Sequence, residues 1–306
     1  MKSQDRVPET TGSLRGHGVT LRYSRWQGGG APIVVLHGGG QTRHAWEDSC
    51  AHLGDLGYDV TALDLRGHGE SEWAPNQDYG LMHFTADVVA VLPQLGHPRA
   101  ALLGFSLGGL VSLYLTSRHP ELCAALMLVD VAPRLETEGV RRIRDFMTRH
   151  ESFGSLDEVV AALREYNPSR PPDSIRPESL ERNLRQRPDG RWEWHYDKYF
   201  RTPVTDTADG AYRSRIMGLS HEELLAAART VRVPTLVVRG ATSDVLSEDG
   251  VRELLETIPH AEAATVERAG HQVAGDRNDA FLVALTPFLA RAYPVRPQDA
   301  ERQVPA

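Results

Sequence analysis

Three side-chain types spaced far apart could together cleave an acyl bond: a serine, a histidine and an aspartate. The serine is the best marked. Gly104-Phe105-Ser106-Leu107-Gly108-Gly109 follows an apolar run, Ala100–Phe105, and opens a helix-patterned run, Leu107–Arg118. A serine between glycines at a strand-to-helix turn reads as a nucleophile elbow: the turn is sharp, so its flanks are small, and the hydroxyl is lifted off the sheet edge. The same turn aims helix-start N–H groups at whatever the serine attacks. The plain alternative is an ordinary glycine-rich turn, and the strand before and helix after favour the elbow.

A serine hydroxyl is a poor nucleophile at neutral pH and needs a base, which in turn needs a carboxylate to hold its tautomer. Among 13 histidines, His271 is the preferred base. It follows Gly270 in a loop between the last strand pattern and the last helix pattern, as the order serine, acid, histidine requires. His37 and His68 lie in glycine-rich turns and are read as bonding local backbone. Asp244, in Gly240-Ala241-Thr242-Ser243-Asp244 just past a strand ending at Arg239, is the favoured acid; Asp130, at the end of the strand after the elbow helix, is the alternative. Either could instead serve its own loop, Asp244 in an Asx-type turn and Asp130 in capping the entry to an insertion. The oxyanion donors are expected to be the backbone N–H of Leu107 and that of Gly39 in the run Gly38-Gly39-Gly40, with Gly38 and Gly40 as alternatives.

The elements that must position these groups alternate. Strand patterns at 19–26, Pro32–Leu36, 58–65, Ala100–Phe105, 124–131, 235–239 and 261–266 are separated by helical periodicities, with Pro93 expected to kink or end one of them. Short continuous apolar runs suit parallel strands buried on both faces. The pattern predicts an α/β fold, a mostly parallel sheet with helices on both faces, and ligand groups gathered beyond the carboxyl ends of the strands. His37, Asp64, Ser106, Asp130, Asp244 and His271 all fall at such ends. Residues 134–229 change character: they are rich in charge, lack a buried-strand run and carry short helix-like patterns around a proline-rich loop at 168–177. We read them as a mostly helical cap between two parts of a core, 1–133 and 230–306. Residues 1–13 and those from Pro294 onward are expected to be tails, and Asn278 to cap the last helix.

Composition narrows the classes. The 306 residues, 41% hydrophobic and 25% charged, are ordinary for a soluble globular chain, and a net charge of -7 argues against nucleic acid as partner. No run approaches a membrane span and the N-terminus lacks a secretory signal. Cys50 and Cys123 sit in no metal or redox spacing, which points to a reducing cytoplasm. No Walker lysine, no dinucleotide glycine pattern and no metal motif is present, so no cofactor or metal is expected.

These residues resemble the α/β-hydrolase superfamily. His37-Gly38-Gly39-Gly40 with Trp46 downstream is similar to its oxyanion loop, Asp64-Leu65-Arg66-Gly67-His68-Gly69-Glu70-Ser71 to its Asp-x-Arg-Gly-x-Gly-x-Ser signature, residues 104–109 to its elbow and Gly270-His271 to its histidine loop. The resemblance spans about 15–132 and 230–291. It implies an eight-stranded sheet, a helical lid and a triad of Ser106, Asp244 and His271. Certain lactonases of the superfamily carry the acid after the strand that follows the elbow helix, which keeps Asp130 in view. Serine rather than aspartate at position 106 argues against dehalogenase and epoxide-hydrolase chemistry.

The expected reaction is acyl transfer from a small-molecule ester or lactone to water. Carbon–carbon hydrolysis or cofactor-free perhydrolysis on the same triad, and a hydrolase-like receptor with little turnover, are the alternatives. Trp192, Trp194, Tyr196 and Tyr199, with His195 and Phe200, form an aromatic cluster expected to line the pocket beside Gly38 and Trp46, with Trp73 and Met127 as further contributors; packing of the cap onto the core would explain any of them equally well. Arg182, Arg185 and Arg187 are read as a solvated face. Whether the chain is a monomer or a homodimer is left open.

Overall fold

The structure is a computed structural model that describes residues 8–168, 175, 180–201 and 218–295. Its centre is an eight-stranded sheet built from β1 (Thr10–Arg15), β2 (Thr20–Gln27), β3 (Pro32–Leu36), β4 (Asp59–Leu63), β5 (Ala100–Phe105), β6 (Cys123–Val129), β9 (Thr235–Gly240) and β10 (Glu262–Val266). The spatial order is β1-β2-β4-β3-β5-β6-β9-β10. β2 is antiparallel to both β1 and β4, and every other pairing is parallel. The chain moves from β3 to β4 on one side, then crosses back to β5 on the other. The loops after β3 and β5 therefore diverge, and a crevice opens between their carboxyl ends.

The continuous apolar strands are buried on both faces because alternate side chains enter two different cores. In β3, Val34 and Leu36 pack with α2 (Leu81–Gln94) and α3 (Leu107–Arg118), whereas Ile33 and Val35 pack with α1 (Glu47–Asp55) and α8 (Val273–Ala292). Pro93 lies in the last turn of α2, where it ends the helix as expected. α8 starts five residues before Asn278 and breaks at Arg277 (φ -145°, ψ 66°). Asn278 does not open the helix as a cap; its side chain accepts a hydrogen bond from Ser49 at 2.5 Å. Residues 10–13, expected to be tail, belong with Leu14 and Arg15 to the edge strand β1, zipped along β2 from Thr10↔Arg25 to Arg15↔Thr20. Its polar sequence hides it, since it buries little beyond Leu14.

Between β6 and β9 the chain leaves the sheet. It forms α4 (Thr137–Arg149), α5 (Leu156–Tyr166), a hairpin of β7 (Leu184–Gln186) and β8 (Trp192–Trp194), and α6 (His221–Ala228); α7 (Glu248–Thr257) follows β9. The hairpin was not anticipated, because three-residue strands carry too short a periodicity to register. Most of the proline-rich loop, residues 1–7 of the N-terminal tail and 296–306 of the C-terminal tail lie outside the described residues.

The Asp64–Ser71 motif is a structural clasp. Asp64 is fully buried and accepts from the Arg43 N–H at 2.7 Å, the Glu70 N–H at 3.0 Å and the Arg43 guanidinium, which also reaches Glu70. Arg66 grips buried Asp87 at 2.6 and 2.7 Å and binds the carbonyls of Asp78 and His17. Removing one partner from such a pair strands a buried charge.

The elbow glycines are dictated by backbone crowding. A Cβ at Gly104 would lie 2.3 Å from the Gly108 carbonyl oxygen, and one at Gly108 would lie 2.1 Å from that of Leu36. Helix and strands meet there at closer than side-chain distance. Gly39, by contrast, has nothing within 4 Å of its ideal Cβ. Gly108→Ala is expected to cost about 3 kcal/mol or more of folding free energy, whereas Gly39→Ala, the same chemical change, stays within about 1 kcal/mol. Urea unfolding of the two variants checks this.

Candidate active site

Ser106 follows β5 at φ 50° and ψ -114°, outside the regions that L-residues prefer. Its backbone is pinned on both sides: the N–H donates to Val129 O at 3.1 Å and the carbonyl accepts from Leu110 at 3.0 Å. The strain is thus held by sheet on one side and α3 on the other. The Phe105 ring lies 4.8 Å, centroid to centroid, from the imidazole of His271, and Ser106 and His271 line one cavity.

His271 stands in the loop between β10 and α8 and is 8% exposed. Its Nδ1 lies 2.7 Å from Asp130 Oδ2. Asp130 follows β6, is fully buried and sits in the left-handed region at φ 49°. Two further donors complete its carboxylate: the Gly240 N–H reaches Oδ1 at 2.9 Å, and the Ser243 hydroxyl donates to Oδ2. The Ser243 oxygen in turn accepts from the N–H groups of Val245 and Leu246, both at 3.2 Å. A carboxylate with only donors around it makes Nδ1 the protonated nitrogen and leaves Nε2 as an acceptor.

The favoured acid of the sequence reading is therefore corrected. Asp244 does not contact His271; its carboxylate turns outward to Arg142 at 2.8 Å, with the pair 33% and 51% exposed. The loop after β9 does reach the acid–imidazole pair, but with Ser243 and the Gly240 N–H. Gly240 also lets the histidine loop pass, since a Cβ there would lie 2.1 Å from the Gly270 carbonyl oxygen. Sequence reasoning missed Ser243, although it stands beside the aspartate that was singled out.

On the other side of Ser106, Gly39 and Leu107 both line the cavity. Leu107 is the first residue of α3, where an N–H has no partner within the helix. Two neighbouring donors are spent: Gly38 N–H on Gln41 Oε1 at 3.2 Å and Gly108 N–H on His37 O at 3.1 Å. His37 binds backbone only. Its Nε2 accepts from the Leu65 N–H at 3.0 Å and its Nδ1 donates to the Gly38 carbonyl at 2.7 Å. Burial holds it neutral, with its pKa pushed down to about 4; burial and then the neighbouring His37 push that of His68 down to about 3.

The family model described as alpha/beta hydrolase fold matches residues 31–276. The chain belongs to the α/β-hydrolase fold family. It is 29% identical over 269 residues to an esterase of Mycobacterium tuberculosis, covering 84% of this chain and 82% of the relative. It is 25% identical over 280 residues to 3-oxoadipate enol-lactonase 2 of Acinetobacter baylyi, covering 91% and 96%. Among solved structures, an alpha/beta hydrolase from Novosphingobium aromaticivorans superposes with a TM-score of 0.76 at 28% identity, covering 94% of this chain and all of that one.

In this α/β hydrolase the cavity above Ser106 measures about 660 Å³, within the usual range for small-molecule sites. Trp194, Tyr196 and Phe200 line it. Seven of the residues predicted for the pocket, Gly38, Trp46, Trp73, Met127, Trp192, His195 and Tyr199, are not among its described lining residues. Trp46 is buried between Phe105 and Phe281, at 6.0 and 5.8 Å, and Gly38 is packed under the Phe105 ring. Trp192 pairs with Phe153 at the hairpin, and Tyr199 lies against Tyr79 at 5.3 Å. Met127 is fully buried in the sheet, and Trp73 carries the Arg185 guanidinium 4.9 Å over its ring. Arg185 also pairs with Glu193 and Arg187 with Glu151 and Asp189, but Arg182 lines the cavity, paired with Glu47 at 2.5 Å. The lining that sequence reading overlooked is the inner stripe of α4, Val140, Ile143 and Met147, with Leu110 from α3. Its helical spacing was visible, but not the partner it faces. Among the described residues, no helix is long and apolar enough to cross a membrane and no group of three or more His, Cys, Asp or Glu could hold a metal.

Burial also lowers the pKa of His97 and His195, but His37 and His68 are lowered furthest and dominate the pH dependence. Each of the two is neutral when folded down to about pH 4 or 3 but titrates near the ordinary histidine value of 6.5 when unfolded. Below pH 6.5 the unfolded chain binds the extra protons, so stability is complete above that pH and declines as pH falls. Each histidine contributes a slope of about 1.4 kcal/mol per pH unit in that window. Urea midpoints measured from pH 7 to 5 should fall, and His68→Gln should remove about one histidine's share of the slope.

Proposed function

We propose that this chain is a serine hydrolase of carboxylic esters or lactones, with Ser106 as nucleophile, His271 as base and Asp130 as the acid. The observation that carries the reading is the contact of His271 Nδ1 with the buried Asp130 carboxylate at 2.7 Å, on a ring that shares its cavity with the strained Ser106. In this reading Ser106 Oγ attacks the carbonyl carbon while Nε2 of His271 takes its proton. The carbonyl oxygen gathers negative charge against the N–H groups of Gly39 and Leu107. The tetrahedral intermediate breaks its bond to the leaving oxygen, which receives the proton from Nε2. Water then attacks the acyl-enzyme, loses a proton to the same nitrogen, and the acid is released with Ser106 restored. No step calls for a cofactor. Residues 134–229 act as a cap that closes the pocket over the sheet edge, and the chain works on a small molecule without nucleic acid or membrane as partner.

Esterase and lactonase names among the relatives support acyl-transfer chemistry. A carbon–carbon hydrolase would use the same three residues, and a panel of short esters, lactones and diketones separates the readings. Fluorophosphonate labelling located at Ser106 by mass spectrometry, with steady turnover of a p-nitrophenyl ester, is the expected result; labelling without turnover would favour a receptor. Asp130→Asn should lower kcat by about 10³–10⁴-fold by losing the correct tautomer. Asp244→Asn, which breaks only a half-exposed ion pair, should stay within about fivefold. The opposite ranking would return the acid to Asp244.

A further inference from the structure

The cavity has two chemically distinct walls, and their places relative to His271 determine which half of a substrate meets each. The first wall is the run that follows the imidazole in sequence. Gln272, Asp276, Asn278 and Asp279 line the cavity from the first turns of α8, joined by Asp48 and by Ser49, which holds Asn278 at 2.5 Å. This wall is polar.

The second wall is mainly apolar, with Arg144 as the charged residue that α4 adds to it, and lies over the oxyanion loop. α4 crosses the cavity as a roof. At its start, Gly139 packs against the Asp244 backbone so closely that a Cβ would lie 2.0 Å from the carbonyl oxygen. Eight residues later, about 12 Å along a helix, Met147 reaches the far side, where its Cε would stand 3.4 Å from a Cβ on Gly40. Tyr196 covers the same glycine and donates its hydroxyl to the Met147 carbonyl at 3.2 Å. Between these anchors α4 lines the cavity with Val140, Ile143, Phe146 and Met147 and with the half-buried Arg144, and its other face carries the exposed Arg141, Arg142 and Asp145. Leu110, one turn beyond Ser106, and Phe200 extend the apolar surface.

In an acyl transfer the leaving oxygen must sit beside the imidazole that protonates it. The acyl substituent, held by the carbonyl whose oxygen points at Gly39 and Leu107, extends away from that imidazole. We infer that the substrate is an ester of an apolar, medium-length acyl chain with a small polar alcohol: the chain lies under α4 against Val140, Ile143, Met147 and Leu110, and the alcohol leaves along the polar wall of α8. This inference rests on the serine-hydrolase reading above and adds the polarity of each half of the substrate.

A pair of isomers tests it. 2-Hydroxyethyl octanoate and octyl glycolate have the same atoms and differ in which side of the ester is apolar. After each rate is divided by that isomer's alkaline hydrolysis rate, kcat/KM should favour 2-hydroxyethyl octanoate by about tenfold or more. From 2-hydroxyethyl acetate to the octanoate, kcat/KM should climb by about 2- to 4-fold per methylene before it levels. Ile143→Trp, checked for folding by circular dichroism, should lower the octanoate-to-acetate ratio by about tenfold. Equal or reversed preference between the isomers, with Ser106 labelled by fluorophosphonate, overturns the inference and leaves the hydrolase reading standing. No labelling and no turnover of any ester overturns both. If Ile143→Trp does not fold, the isomer ratio of the unaltered chain decides alone.

Discussion

The site depends on one buried carboxylate. Asp130 is cut off from water, and an unpartnered charge there would cost several kcal/mol. Three donors answer it, and they come from three places in the fold: Gly240 at the end of β9, Ser243 in the loop beyond it and His271 after β10. Satisfying the charge therefore fixes the relative positions of β6, β9 and the histidine loop. The imidazole is oriented by the same contacts that make the burial tolerable, so the placement of His271 and the condition for folding coincide.

Backbone proximity imposes the second constraint. Ser106 stands where β5, α3 and the loop after β3 converge, and Gly104 and Gly108 are the residues that allow it. His37 ties the same corner together. Its ring bridges the Leu65 N–H and the Gly38 carbonyl, and its own carbonyl accepts from Gly108. One neutral side chain thus sets the loop that presents Gly39 against the helix that presents Leu107. The strain at Ser106 persists because both neighbours of the turn are held by regular hydrogen bonds.

How far the sequence spoke follows from these constraints. The sheet was legible because strands buried on both faces leave continuous apolar runs, and the elbow because backbone crowding admits only glycine. β1 was not, because an edge strand with polar side chains leaves no apolar trace. Ser106 and His271 were marked by local motifs. The carboxylate that meets His271 was not, since an aspartate at the end of either of two adjacent parallel strands looks alike in one dimension. What distinguishes Asp130 from Asp244 is which carboxylate turns inward: Asp130, in the left-handed region, meets His271 and Ser243, while Asp244 pairs with Arg142. The aromatic residues at 192–200 were singled out for bulk, yet only Trp194, Tyr196 and Phe200 are among the described lining residues, and bulk carries no information about direction.

The displaced aspartate still bears on the cavity, through α4. Asp244 pairs with Arg142 on the outer face of that helix, while its backbone packs on Gly139 at the helix start. The ion pair is half exposed and contributes at most about 1 kcal/mol, so the position of the roof is set mainly by packing: Gly139 on the loop after β9 at one end, Met147 and Tyr196 on the oxyanion loop at the other. Both anchors are core loops that also frame the chemistry, one carrying Ser243 and the other Gly39. The core loops are thus constrained by a buried charge, and α4 mainly by close contact, so the inner stripe of that helix stands apart from the hydrogen bonds that hold Asp130, Ser243 and His271 together.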